Sequence, residues 1–213
     1  MTLSREVQER WSRMLQDADP RVQMKALTEI GRSYFHVESR GEGPLKEVFL
    51  GEPAAVQVKG PAKPGLPTSL RDAILSKLEA DDPSMRAEAV LALVHWQDEE
   101  TIDAVLERLK DSDSTVRLAA VQALAMLGEA ELIPDLLEVA RSDPEELVRA
   151  HALSALSQIP VEETRGWEGK ASGAVRTRGG VTLPGYATVL KQIAERDSSR
   201  YVAFLAQKAL ERF

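Results

Sequence analysis

Three groups of residues in this 213-residue chain have the types and spacing that chemistry uses. The first is Gly169-Lys170, in the stretch RGWEGKASGAVRTRGGVTLPGY over 165–186, which invites a phosphate-loop reading. That loop needs G-x-x-x-x-G-K-[ST] between a strand and a helix, because backbone N–H groups cradle the phosphates and a hydroxyl holds magnesium. Gly166 is not at the required distance and Ala171 stands where the hydroxyl belongs, so the reading fails. The second group is the histidines, His36, His95 and His151. No HExxH occurs and no two lie three or four residues apart, so one helix face never offers a ligand pair. His95 and His151 read as packing or surface residues. No cysteine and no nucleophile-elbow motif is present, which leaves no sequence signature of a thiolate site or an acyl-transfer serine. The sequence calls for no cofactor and no metal, and no catalytic residue is expected.

The third group is cationic. Arg165, Lys170, Arg176 and Arg178 against Glu168 make the stretch locally about +3, while the whole chain carries −7. An acidic body weighs against duplex nucleic acid, whose binding rests on neutralising many phosphates. A cationic arm with Trp167 beside it either folds onto the protein's own acids or contacts an acidic partner. Arg86, Arg117 and Arg149 form a separate series, spaced 31 and then 32 residues. Each guanidinium is expected to pair bidentately with an Asp near a neighbouring break, such as Asp113 or Asp143.

The elements that position these residues repeat. Segments 70–97, 101–128 and 132–160 each hold an apolar-periodic run, a short Asp/Ser/Pro break and an Ala-rich second run. Asp82, Asp113 and Asp143 suit the cap of the following helix, and Pro83 and Pro144 suit its first position. Val116, Ala120, Leu124 and Leu127 fall at helical spacing on one face. Their counterparts are Met85, Ala89, Leu93 and Trp96, then Val148, Ala152, Leu156 and Ile159. Two degenerate copies flank these, with Val22, Ala26 and Ile30 at one end and Val202, Ala206 and Leu210 at the other. A single hairpin cannot bury both its stripes, so neighbours must stack.

Segments such as DSDSTVRLAAVQALAMLG and DPSMRAEAVLAL resemble HEAT repeats, in the short HEAT-like form named after phycobilisome-lyase subunits. The resemblance implies an all-α solenoid, an α-α superhelix of about five helix pairs. As one domain, its repeats cover about 4–37, 70–97, 101–128, 132–160 and 186–213. Inserts at 38–69 and 161–185 leave the same edge, each with two β-like runs; Gly179-Gly180 reads as a two-residue hairpin turn. The family implies a binding platform rather than an enzyme. Its lyase-type members imply a second reading, handling of a bilin chromophore. Its alkyl-base glycosylases imply a third, nucleic-acid binding, to which this acidic chain is ill suited.

The expected working surface is the groove lined by second helices, at Leu91, Val94, Leu118, Gln122, Ser154 and Phe204. It is mild and partly apolar, a bed for a partner's helix or extended peptide. The insert residues Arg165, Trp167, Lys170, Arg176 and Arg178 would clamp that partner or set specificity. The charged N-terminus carries no signal peptide, and no window of 18 apolar residues exists. The expectation is a cytoplasmic, non-catalytic, protein-binding scaffold or adaptor without membrane contact.

Overall fold

The computed structural model describes residues 4–35, 66–158 and 174–211. The insert at 38–69, apart from its last residues, and the candidate contacts Arg165, Trp167 and Lys170 lie outside them. Ten α-helices are found among the described residues. They are α1 (Arg5–Leu15), α2 (Pro20–Phe35), α3 (Thr68–Leu75), α4 (Pro83–Leu93) and α5 (Glu99–Arg108), then α6 (Ser114–Leu127), α7 (Ile133–Ser142), α8 (Glu146–Gln158), α9 (Tyr186–Arg196) and α10 (Arg200–Leu210). A two-stranded antiparallel hairpin, β1 (Val175–Arg176) and β2 (Thr182–Leu183), precedes α9. The fold class is all-α, and the helices divide into two compact units with the boundary between Ala123 and Leu124.

In the first unit α1 pairs with α2 and α3 with α4, and the pairs stack α1 on α3 and α2 on α4. The stripe read from the sequence is the core: Ala26, Ile30, Ala89, Leu93 and Ala120 are fully buried. Small alanines let second helices approach closely, while Leu and Ile fill the space between layers. Trp11 is buried, and its indole N–H donates to Glu29 at 3.0 Å, tying α1 to α2. Trp96 is also buried, at the turn after α4. His95 is a packing residue there. Its Nε2 lies 2.7 Å from the Ile30 carbonyl and 3.1 Å from the Ser33 hydroxyl.

In the second unit α7 pairs with α8 and α9 with α10, stacked α7 on α9 and α8 on α10. Leu136, Ala152, Leu156, Val189, Val202 and Ala206 are buried between them. Leu210 is only half-buried, and Ala209 takes the inward position at that end of α10. Each unit is a short piece of α-solenoid, every helix pair burying its stripe against the next.

Candidate functional site

The recurrent arginines build a clamp at each break. Arg86 donates to both oxygens of Asp111, Nε at 2.9 Å and Nη2 at 2.8 Å. Arg149 does the same to Asp197, at 2.8 and 2.9 Å. A third bond from each, and the corresponding bond from Arg117, reaches back to its own break. Nη1 of Arg86, Arg117 and Arg149 donates to the carbonyl six residues earlier, on Ala80, Asp111 and Asp143, at 2.8, 3.0 and 2.9 Å. The planar fork of the guanidinium thus joins one break to the next, a geometry a lysine lacks.

The partner of Arg86 is Asp111, not the expected Asp113. Asp111 stands first in its break, where it also accepts the Asp113 N–H at 2.9 Å. Asp113 is used at the helix start instead, accepting the Thr115 N–H at 2.8 Å, as Asp82 accepts that of Ser84 at 2.9 Å. Asp143 belongs to the Asp111 class. Six residues before its arginine, it accepts the Glu145 N–H at 2.9 Å within the break rather than capping α8 in the Asp82 manner. The Arg86 fork holds the Asp111 carboxyl below the usual carboxylate range, and the Arg86 guanidinium is raised in return.

The hairpin before α9 folds onto the protein's own acid. Val175 and Leu183 face inward while Arg176, Arg178 and Val181 are exposed. The loop holds three residues rather than two. Thr177 and Val181 close it, the Thr177 N–H donating to the Val181 carbonyl at 2.9 Å and the Gly180 N–H to the Thr177 carbonyl at 3.0 Å. Only Gly180, at φ +86°, has the left-handed backbone, as in a turn ending in a bulge glycine. Asp135, buried near the start of α7, accepts the Arg178 backbone N–H at 3.2 Å. Burial pushes its carboxyl up, partly offset by the Arg178 and Gly179 amides and the Arg178 charge. The amides of the turn therefore make a docking contact with Asp135.

The second-helix positions separate into covered and open ones. Val94 is 1% exposed and belongs to the core: α4 ends at Leu93, so the helical projection that put Val94 in the groove no longer applies. Leu91, Leu118 and Gln122 in the first unit and Ser154 in the second are half-buried. Phe204 is 53% exposed on α10, with the Lys208 ammonium 5.1 Å from its ring centroid.

Two residues join it that sequence reasoning missed. Leu147 and Tyr201 are 58% and 57% exposed, in the first turns of α8 and α10. Those turns are tied together, the Ser199 hydroxyl donating to Glu146 at 2.6 Å. A signal for them exists: the position two before the recurrent arginine, or before Gln23 and Ala203 in its place, is Arg21, Ser84 and Thr115 in earlier repeats, then Leu147 and Tyr201. Polar side chains give way to large apolar ones where water remains.

Packed helix pairs and recurrent arginine clamps define a helical-repeat fold. Residues 71–157 match the HEAT repeats family. No curated protein in the comparison matches the chain. Among solved structures it is similar to two engineered proteins. One is 19% identical with TM-score 0.44, covering 98% of this chain and 96% of that one. The other is 17% identical with TM-score 0.47, covering 98% of each. A designed armadillo repeat protein is similar at 17% identity and TM-score 0.43, covering 95% of this chain and 98% of its own. Among the described residues no group of three His, Cys, Asp or Glu is placed to hold a metal ion. No described helix is long and apolar enough to cross a membrane.

Proposed function

We propose that this protein is a non-catalytic scaffold or adaptor that binds another protein on the open face of its second helices. The observation that carries the reading is the distribution of exposed apolar side chains. Of the four large ones among the described residues, Leu147, Tyr201 and Phe204 lie on the adjacent helices α8 and α10. Single exposed hydrophobes are ordinary, but three on two packed helices mark a surface kept apolar for contact. Aromatic residues of this kind anchor most of the energy of an interface. Ser154, two turns further along α8 than Leu147, offers a half-buried hydroxyl on that helix. Leu91, Leu118 and Gln122 are half-buried on second helices of the first unit. Arg176, outward on the docked hairpin, is a peripheral contact that sets specificity.

Panning a display library of random peptides on the full chain supplies probes for this reading. Selected peptides should lose about tenfold or more in affinity for a Tyr201→Ser/Phe204→Ser variant, since two interface aromatics are removed. They should keep it for Lys191→Ser, a control on α9. Unchanged binding to the folded double variant contradicts the reading.

A further inference from the structure

We infer that the segment bound by the α8–α10 face is acidic, carrying two apolar anchors flanked by Asp or Glu. This rests on the protein-binding reading above and adds the chemistry of the partner.

The charge on the α10 side of this face is opposite to that of the chain. The sequence as a whole has 34 acids to 27 lysines and arginines. Yet α10, RYVAFLAQKAL, holds two cations and no acid. Arg200, Phe204 and Lys208 are spaced four apart, and Tyr201 lies three before Phe204, so these side chains share one side of the helix. All four are exposed. The opposite side of α10 carries Val202, Ala206 and Ala209 into the core. Tyr201 and Phe204 therefore sit between a guanidinium and an ammonium, the latter drawn over the Phe204 ring.

Two of the acids beside this face are already engaged. Asp197 is held by both bonds from Arg149, and Glu146 accepts from the Ser199 hydroxyl. On α8, His151 directs Nδ1 to the Leu147 carbonyl at 2.9 Å. Glu145, exposed just before α8, and Glu211, just past the end of α10, are further acids that flank the face. Arg200 also occupies the first turn of α10, where the backbone N–H groups already make the potential positive. A cation there opposes the helix dipole, so helix stability does not account for its placement. A partner carboxylate meeting Arg200 or Lys208 beside desolvated aromatics gains both charge and apolar contact. A second copy joined through the same face would set these cations against one another, which disfavours a two-fold dimer there.

The test uses three synthetic 16-residue amphipathic peptides and the full chain. One has Leu and Phe anchors with Glu and Asp around them, one has Lys in place of every acid, and one has the acids but Ser at the anchors. Fluorescence anisotropy at 50 and 500 mM salt reads the affinities. The acidic peptide should bind about tenfold more tightly than its lysine counterpart at low salt, with the advantage shrinking at high salt as screening shortens. Arg200→Glu/Lys208→Glu should invert the order, and the Ser-anchor peptide should bind weakly. Equal affinity of the first two peptides, or an unchanged order in the folded charge-reversed variant, overturns the inference. Display-selected peptides that need Tyr201 and Phe204 but are not acidic overturn it while leaving the protein-binding reading intact. Selected peptides indifferent to those two aromatics defeat that reading itself.

Discussion

Arg149 holds Asp197 through two parallel hydrogen bonds of 2.8 and 2.9 Å, while its remaining nitrogen grips the carbonyl of Asp143 at 2.9 Å. One side chain thus locks the start of α8 to the start of α10 and sets the two helices that carry Leu147, Tyr201 and Phe204 side by side. Both partners are largely shielded, with side-chain exposures of 10% and 7%. Removing one therefore leaves a buried charge unpaired. Arg149→Ala should cost about 3 kcal/mol in chemical denaturation. The joint change Arg149→Met/Asp197→Leu should recover much of that loss, because an apolar pair leaves no orphan charge. A cost below about 1 kcal/mol for the single change would place the pair among ordinary surface ion pairs.

The Arg86–Asp111 clamp predicts an acid dependence. Arg86 depresses the Asp111 carboxyl in the fold, so its contribution is complete above the ordinary carboxylate range and fades as pH falls through the depressed value. Asp111→Asn should therefore lower the melting temperature clearly at pH 7 and progressively less toward pH 3. A difference that holds constant or widens in acid would contradict the pairing.

Asp135 has the opposite sign. Burial raises its carboxyl, so its contribution is greatest below the ordinary carboxylate range and is lost as pH rises through the raised value. Asp135→Asn keeps an oxygen for the Arg178 N–H at 3.2 Å and removes the charge that burial penalises. It should match or exceed the parent in melting temperature at pH 7, and that advantage should vanish in acid. Asp135→Ala abandons the amide and should cost about 1–2 kcal/mol.

How far the fold and the site could be read from the sequence differs by residue. The Val-x-x-x-Ala-x-x-x-Leu spacing in each second run sets one apolar stripe per helix, and Ala120, Ala152 and Ala206 are buried where it puts them. The arginine register was legible, but the choice of Asp111 over Asp113 was not. Both lie in the same break, and only the folded turn, with Asp111 accepting the Asp113 N–H, decides which carboxylate faces the next repeat. Val94 misled because helical projection assumes the helix continues, and α4 stops one residue short of it. Leu147 and Tyr201 lie outside the repeating pattern. Looking for what repeats finds the core, whereas these two residues are visible only as departures from the repeat.

The hairpin turn separates its two glycines. Gly180, at φ +86°, adopts a backbone that L side chains disfavour, while an added Cβ would meet nothing closer than Arg176 at 3.6 Å. Gly180→Ala should therefore cost about 1 kcal/mol through backbone strain alone. Gly179→Ala should be nearly neutral, since its φ is not positive. Equal melting temperatures for the two variants would refute the three-residue loop.

Chemical-shift mapping of the isotope-labelled full chain during titration with a display-selected peptide tests most directly that α8 and α10 form the binding face. The perturbed amides should cluster on α8 and α10, with Leu147, Tyr201 and Phe204 among the strongest. Perturbations confined to α7, α9 or the hairpin, with α8 and α10 unmoved, would contradict it.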